Sequence, residues 1–329
     1  MNWQEQKVLV TGAGGFIGSH LVERLVSLKA SVRAFVRYSS KGTYGHIDSF
    51  APQTREKIEI VAGDLRDPEA LRAASKDVTV IFHLGALVAI PYSYVHPVEV
   101  VETNVIGTLN VLCAARSCGV RQVVHTSTSE VYGTARYVPI DEKHPLCGQS
   151  PYSASKIGAD QLAESFFRSF ELPVAIIRPF NTYGPRQSAR AVIPSVITQV
   201  ISRGTVYVGA THPTRDLTFV DDTVEAFIKI AETPEAIGKV TNVGSGRETT
   251  IRELVDMICS IVGKDAKVIF DPARLRPPRS EVERLLADTS RMRELTGWQP
   301  SVSLEDGLRK TVDWISDHFS LYRPDVYAI

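Results

Sequence analysis

Five residues near the middle of the chain have the types and spacing for moving a proton to and from a substrate oxygen. Thr128, Ser129 and Glu130 put two hydroxyls and a carboxylate in a row. Tyr152 and Lys156 follow, four residues apart. An opposite charge lowers the pKa of an acid, so the Lys156 ammonium is expected to favour the Tyr152 phenolate near neutral pH. Thr128 is placed to hold the same oxygen.

The flanking sequence predicts how these groups meet. The run VVHTS resembles a buried strand that ends in polar residues, and YSASKIGADQLAESFFRSF predicts a helix with Tyr152 and Lys156 on one face. A strand end and a helix face are therefore expected to converge. Taken alone, a Tyr-x-x-x-Lys pair also describes a packed aromatic beside a solvated lysine, so the rest of the chain has to decide.

Composition narrows the class of protein. The 329 residues are 43% hydrophobic and 22% charged, which is typical of a globular protein with one large or two closely packed domains. Equal numbers of acidic and basic residues, 37 each, give no reason to expect a nucleic-acid or membrane partner. The N-terminus lacks a signal-like apolar region and no apolar run reaches membrane-spanning length, so a cytoplasmic location is expected.

The cysteines predict neither a metal site nor a disulfide framework. Cys113, Cys118, Cys147 and Cys259 have neither spacing. We expect reduced, mostly buried thiols and no bound metal.

A glycine turn between the first strand and the first helix predicts a dinucleotide site. Gly12, Gly15 and Gly18 recur at three-residue intervals after KVLVT. Such glycines let the backbone approach a pyrophosphate at a helix N-terminus, where free amides and the helix dipole attract anions. The predicted cofactor contacts are Gly12, Gly15, Phe16, Ile17, Gly18, Arg37, Asp64, Leu65, Leu84, Ala86, Tyr152 and Lys156.

The second strand predicts which dinucleotide binds. An acid at its end bonds the ribose 2′-hydroxyl of NAD, whereas an arginine accommodates the 2′-phosphate of NADP. SVRAFVR ends in Val36 and Arg37 without an acid. NADP is therefore favoured and NAD stays possible, the alternative being that Arg37 only begins a solvated loop. Asp64, after the third strand, is expected to meet the adenine amino group.

Alternating strands and helices predict an α/β fold, a doubly wound parallel (Rossmann) sheet with a smaller mixed α/β C-terminal substrate domain. The dinucleotide domain is expected to take residues 1–180 and 214–248, with VTNVGSG rejoining the sheet. The substrate domain would take 181–213 and 249–329. In the helix near 98–117, Asn104 either braces the active-site helix or is a satisfied polar group.

Arginines cluster in loops outside the predicted dinucleotide domain. Arg215, Arg276 and Arg279 are planar donors of the kind that bind phosphate in two places at once, although loop arginines are often only solvated. A second, phosphate-bearing ligand is therefore expected to contact at least one of them.

An ordered series of motifs resembles the extended short-chain dehydrogenase/reductase family, specifically its nucleotide-sugar epimerases and 4,6-dehydratases. The likeness spans nearly the whole chain, in TGAGGFIG, GDL, HLGA, ETNVIGT, STSEVYG, YSASK, RPFNTYGPRQ, RDLTFVDD, NVGSG and RPPRSEV. It implies that Tyr152 is the catalytic base, that Lys156 is its pKa partner and a nicotinamide-ribose ligand, and that Thr128 holds the substrate 4-oxygen. The implied substrate contacts are Asn181, Arg190, Arg215 and Arg279.

The triplet before Val-Tyr-Gly separates chemistries within that family. dTDP-glucose 4,6-dehydratases have Thr-Asp-Glu, in which the Asp protonates the departing 6-hydroxyl and the Glu removes the C5 proton. This chain has Ser129 in the Asp position. Thr-Ser-Glu looks like the triplet of GDP-mannose 4,6-dehydratases and also of UDP-glucuronate decarboxylases, whereas simple 4-epimerases usually lack the glutamate.

The resemblance implies an NAD(P)-dependent 4,6-dehydratase. SPYSASKIGAD and RPFNTYGPRQSARAVIP look most like nonulosonate-pathway (legionaminic or pseudaminic type) enzymes, which implies UDP-N-acetylglucosamine or a close nucleotide-linked hexosamine as substrate. A 4-epimerase or a decarboxylase are alternatives. A non-catalytic dinucleotide-binding regulator is a remote one, since that class typically lacks the Tyr and Lys. The family also implies a homodimer through helices near 98–117 and 152–170.

Overall fold

The computed structural model describes residues 1–322. Its strands are β1 Lys7–Thr11, β2 Ser31–Arg37, β3 Ile58–Gly63, β4 Val80–His83, β5 Gln122–Thr126, β6 Val174–Pro179, β7 Asn181–Tyr183, β8 Thr205–Val208, β9 Thr214–Phe219, β10 Val240–Val243, β11 Glu248–Thr250 and β12 Lys267–Phe270. Its α-helices are α1 Phe16–Ser27, α2 Pro52–Arg55, α3 Pro68–Ala74, α4 Ile90–Val95, α5 Pro97–Val101, α6 Gly107–Ser117, α7 Pro151–Phe170, α8 Val192–Arg203, α9 Val220–Glu232, α10 Ile251–Val262, α11 Ser290–Thr296 and α12 Leu304–Asp317.

The main sheet has seven parallel strands in the order β10-β6-β5-β4-β1-β2-β3. The order reverses at β1, which pairs with β2 on one side and β4 on the other. In such sheets a ligand crevice opens at the carboxyl ends of the strands beside the reversal. The predicted α/β fold with a doubly wound sheet is confirmed.

Helices cover both faces of this sheet, which explains why its strands are apolar on both sides. In β1, Val8 and Val10 pack into the core that contains α1 and α9, whereas Leu9 packs into the opposite core with α3, α6 and α7. Successive strand residues point to opposite faces, so one short strand anchors both layers.

The C-terminal half adds two small sheets and returns once to the large one. β10 pairs in parallel with β6, which confirms that VTNVGSG rejoins the main sheet. β9 pairs instead with β7 and β11, although it falls within the segment 214–248 assigned to the dinucleotide domain. β8 pairs with β12. The domain boundaries themselves stay a prediction.

A π-helical segment, Glu102–Ile106, joins α5 to α6. Within residues 1–322, the resulting helix Pro97–Ser117 is the one that has the length and composition to cross a membrane, with a mean hydropathy of 1.3. It packs between α3 and α7 against the sheet, as core helices of globular proteins do. Inserted turns of π-helix often mark functional sites.

The expectation of mostly buried cysteines was wrong. All four thiols are free, Cys113 and Cys147 are exposed, and Cys118 and Cys259 are partly exposed. Cys113 lies on the outward face of α6 and Cys147 lies in the loop before α7. Neither position faces the hydrophobic core.

Candidate active site

The end of β5 and the start of α7 build the predicted centre. Thr128 caps a short 3-10 turn, Ser129–Tyr132, by accepting a hydrogen bond from the Glu130 amide at 3.3 Å. A reciprocal capping box between Ser150 and Ser153 fixes where α7 begins. Tyr152 and Lys156 consequently share the buried face of α7.

The predicted convergence is confirmed, because the turn Ser129–Tyr132 after β5 packs against α7 and the Thr128 hydroxyl is near enough to the Tyr152 phenol to act on its pKa. Ser129 and Glu130 are buried beside them. The five predicted catalytic side chains thus lie on two adjoining elements. The hydroxyl, carboxylate and ammonium groups of this centre all come from one stretch of the chain, Thr128 to Lys156.

Burial dominates the electrostatics of this centre. It raises the pKa of Tyr152 well above its ordinary value, although the hydrogen bond with Thr128 acts in the opposite direction. Burial also lowers the pKa of Lys156 to about 8. The predicted lowering of the Tyr152 pKa by Lys156 is therefore wrong for the protein without ligands, because burial disfavours the phenolate and the carboxylates of Glu130 and Asp160 raise the pKa further.

A buried polar network that the sequence analysis missed lies behind Lys156. Asp160, one turn further along α7, is fully buried. Its carboxylate accepts hydrogen bonds from His125 Nε2 at 3.1 Å and from Ser127 Oγ at 2.5 Å. Arg178 Nη2 donates to it at 2.8 Å. Although burial acts to raise it, the His125 hydrogen bond and the Arg178 charge hold the pKa of Asp160 far below its usual range.

The signal for this network was present but not specific. His125 and Arg178 interrupt otherwise apolar strands, β5 and β6, and a buried polar group in a strand requires a partner. Nothing in the spacing says that the partner is Asp160.

Asn104 braces the active-site helix, which is one of the two roles predicted for it. Its amide donates to Ser155 Oγ on α7 at 2.9 Å and to the Leu87 carbonyl at 3.0 Å. Its oxygen accepts from the Leu87 amide at 2.8 Å. The π-helical segment therefore ties α7 to the loop after β4.

The glycine turn forms a cradle that fits a dinucleotide. Gly12 has a φ of +69°, and a Cβ there would lie 2.8 Å from the Gly85 nitrogen. Gly15 caps α1 with no side chain on the helix end, which leaves its first amides free for an anion. The remaining predicted contacts surround this cradle: Phe16, Ile17 and Gly18 begin α1, Leu65 follows β3, and Leu84 and Ala86 follow β4.

The predicted adenosine contacts are paired with side chains of the protein. Arg37 is 69% exposed and lies 3.5 Å from Glu99 of α5. Asp64 accepts two hydrogen bonds from the Arg66 guanidinium, which holds the pKa of Asp64 below its usual value. Both predicted groups therefore stand at strand ends beside the cradle, each with a partner that a ligand would have to share.

Four charged side chains gather next to the catalytic centre. Arg276 Nη1 lies 3.6 Å from Glu130 Oε2 and 3.9 Å from Glu281 Oε1. Arg215 Nη2 lies 3.3 Å from the same Glu281 oxygen. Arg215 and Glu130 are only 9% and 11% exposed, and Arg276 Nη1 is buried without a hydrogen-bond partner. We call these four residues the arginine cluster.

The predicted substrate residues fall into two groups. Arg215 belongs to the arginine cluster, and the buried Asn181 Oδ1 has no hydrogen-bond partner, as expected of a group reserved for a ligand. Arg190 is exposed and donates to Ser188, and the Arg279 side chain is exposed. Their substrate contacts stay predictions, while Arg276, to which the family resemblance assigns no substrate contact, lies beside Glu130.

Comparison with known proteins identifies the family. The GDP-mannose 4,6-dehydratase family matches residues 9–311. The chain belongs to this family. A UDP-glucose 4-epimerase from Mycolicibacterium smegmatis is 38% identical over 94% of this chain and 98% of its own length. A dTDP-glucose 4,6-dehydratase from Streptomyces griseus is 34% identical over 98% and 97%. Dehydratases and epimerases are thus both among its relatives.

A solved structure extends the likeness to three dimensions. A double mutant of the dTDP-glucose 4,6-dehydratase from Streptomyces venezuelae, determined with NAD bound, superposes with a TM-score of 0.87. It is 31% identical and covers 96% of this chain and 99% of its own. Within this family of nucleotide-sugar enzymes, the cradle and the Thr128–Tyr152–Lys156 centre are the expected cofactor and reaction sites.

Proposed function

We propose that this family member is a nucleotide-sugar 4,6-dehydratase that converts a nucleotide-linked hexosamine, UDP-N-acetylglucosamine or a close relative, to its 4-keto-6-deoxy product. The observation that carries the proposal is the buried carboxylate of Glu130 beside Tyr152. Oxidation at C4 needs one base. Loss of water from C5 and C6 needs a second, and Glu130 supplies it.

The first half-reaction uses Tyr152, Thr128 and Lys156. Tyr152 removes the proton of the 4-hydroxyl while Thr128 holds the same oxygen. A nicotinamide bound at the glycine cradle would supply the hydride acceptor for C4 and the hydride donor for C6. Lys156, an ammonium at neutral pH because its pKa is about 8, favours the phenolate once the ligands are in place.

The second half-reaction uses Glu130. A ketone at C4 acidifies the hydrogen on C5, and Glu130 removes that hydrogen as a proton. Ser129 or Glu130 passes a proton to the departing 6-hydroxyl. The reaction is redox-neutral, because the hydride taken from C4 is returned to C6, while C5 takes up a proton that replaces the one it lost.

The arginine cluster supports a diphosphate ligand. Planar guanidinium groups bind phosphate through paired hydrogen bonds. Arg215 and Arg276 converge on Glu281, and Arg276 Nη1, which has no hydrogen-bond partner, could donate to an anion. A nucleoside diphosphate bound here would present its sugar to Glu130 and Tyr152.

A 4-epimerase is the second candidate. The Mycolicibacterium smegmatis relative, 38% identical, is a UDP-glucose 4-epimerase, and Tyr152, Thr128 and Lys156 alone would suffice for that reaction. In this case Glu130 would be a structural partner of Arg276. The two candidates differ in whether the product has lost water.

For the cofactor we propose NADP in preference to NAD. Arg37 is the last residue of β2, at the position where an acid would bond the 2′-hydroxyl of NAD. Its exposed guanidinium forms an ion pair with Glu99. A 2′-phosphate would compete with that carboxylate for Arg37. The Streptomyces venezuelae structure contains NAD, and NAD is the alternative cofactor for this chain.

We also propose a homodimer. Val98, Val101 and Ile106 are exposed apolar residues along the helix Pro97–Ser117, and exposed apolar patches commonly mark protein interfaces. Pairing of this helix and α7 with their copies would cover them. Light scattering of the purified protein checks the mass.

Mass spectrometry of the protein incubated with NADP and a panel of nucleotide sugars tests the reaction. A product lighter by one water supports the dehydratase. An isomer of unchanged mass supports the epimerase, and loss of carbon dioxide would reveal a decarboxylase. Absence of turnover on every member of the panel contradicts all three.

A further inference from the structure

Asp160 and Lys156 are two buried groups of opposite charge that lie one helical turn apart on α7, behind the reaction centre. Residues four apart on a helix are neighbours on one face, and α7 presents both to the interior. Asp160 is fully buried and Lys156 is 4% exposed. A charge sealed in this way acts strongly on its neighbours, because water does not screen it.

The titratable and charged groups that face this pair are His83, His125, Tyr152 and Arg178. Glu130 lies beside Tyr152, and Tyr132 accepts a hydrogen bond from Arg178. Burial lowers the pKa of His83 and His125 below the ordinary value, so both rings are neutral at pH 7. The Asp160 carboxylate is ionised, because Arg178 and the hydrogen bonds of His125 and Ser127 stabilise its charge.

We propose that Asp160 is a positioning residue that keeps Lys156 an ammonium and sets the pH range in which Lys156 and Tyr152 work. Its carboxylate touches no reacting atom. The three partners from β5, β6 and the turn after β5 hold it at a fixed place beside Lys156. The consequence for turnover rests on the proposed function, whereas the charge state of Lys156 is measurable without cofactor or substrate.

The direction of the effect follows from the sign of the charge. Burial lowers the pKa of Lys156 and Asp160 opposes that loss. Burial raises the pKa of Tyr152, and Asp160 contributes in the same direction. Neutralising Asp160 should therefore lower both pKa values together.

NMR titration of cofactor-free protein labelled with ¹³C-lysine tests the proposal directly. The Lys156 resonance is the one missing from Lys156→Met. We expect a wild-type midpoint of about 8 and a midpoint lower by about one pH unit or more in Asp160→Asn. Ser127→Ala, which removes a hydrogen bond to Asp160 but no charge, should leave the midpoint unchanged. An unchanged midpoint in folded Asp160→Asn overturns the proposal.

The pH dependence of turnover gives a second, separate readout. Turnover is measured with the ligands bound, when Lys156 is expected to favour the Tyr152 phenolate. The acidic limb then reports Tyr152 and the alkaline limb reports Lys156, so Asp160→Asn should move the whole bell to lower pH, and Asp160→Glu should restore it. If Asp160→Asn lowers the maximal turnover without shifting the pH profile, the proposal is overturned. If the wild type turns over no nucleotide sugar, the proposed function fails and the NMR titration still decides the role of Asp160.

Arg178→Gln covers the case in which Asp160→Asn does not fold. It removes the positive charge opposite Asp160 and leaves the hydrogen bonds of His125 and Ser127 in place. The carboxylate then acts on Lys156 with less compensation, so the Lys156 midpoint should rise by about half a pH unit or more. A fall, or no change, contradicts the proposal.

Discussion

The catalytic centre and the arginine cluster lie side by side but are built in opposite ways. The centre sits on a strand end and a helix, and Thr128, Tyr152 and Asp160 are buried or hydrogen-bonded within the protein. Apart from Glu130, the arginine cluster comes from β9 and the loop after β12, and Arg276 keeps a buried nitrogen without a hydrogen-bond partner. Reaction geometry is thus fixed in advance, whereas recognition relies on charges that a ligand can take over from Glu130 and Glu281.

The largest effect is expected from removing Tyr152, the proposed base of the catalytic centre. Tyr152→Phe should lower turnover by as much as about 10⁴-fold, because it abolishes proton removal from the 4-hydroxyl. Binding of cofactor and nucleotide should persist, since neither depends on the phenolic proton. Steady-state kinetics together with calorimetric binding check both halves. Turnover close to that of the wild type would rule out Tyr152 as the base.

Glu130 stands between the two regions, and its substitution separates the half-reactions. Glu130→Gln keeps the shape and removes the base, so dehydration should slow by about 10²–10³-fold. On mixing with substrate, the absorbance of reduced cofactor should still appear and then persist. Wild-type product made in heavy water should carry deuterium at C5. Normal dehydration by the variant would show that Glu130 is not the second base, whereas an isomeric product without label at C5 would favour the epimerase.

A smaller effect is expected from the cluster. Arg276→Gln should weaken binding of the nucleoside diphosphate by about 10- to 100-fold, because it removes a charged hydrogen-bond donor. The matched variant is Arg279→Gln, three residues away on the same loop and exposed, which should change affinity by about twofold or less. Isothermal titration with UDP compares them. If Arg279→Gln weakened UDP binding more than Arg276→Gln, Arg279 would be the phosphate contact instead.

The smallest effect concerns the cofactor. Arg37→Gln should weaken NADP binding by about tenfold through loss of a 2′-phosphate contact and leave NAD binding nearly unchanged. Fluorescence titration with both dinucleotides measures the ratio. A wild-type protein that binds NAD as tightly as NADP would show that Arg37 only pairs with Glu99.

The fold and the catalytic centre could be predicted from sequence because both depend on patterns within short stretches of the chain. Strand and helix periodicities locate β1 to β6, and Thr128 to Lys156 lie within one stretch. Arg276 and Arg279 could not be ranked, since an irregular loop has no periodicity to say which side chain turns inward. The pKa direction of Tyr152 was also beyond reach, because its sign depends on burial rather than on the nearest charge.

The position of β10 has a consequence for synthesis of the chain. The edge of the main sheet beyond β6 is closed by Val240–Val243, which emerges from the ribosome about sixty residues after β6. Until then β6 presents unpaired amides and carbonyls, the kind of edge on which chains aggregate. A nascent chain halted between β6 and β10 should therefore need a chaperone more than one released after Val243.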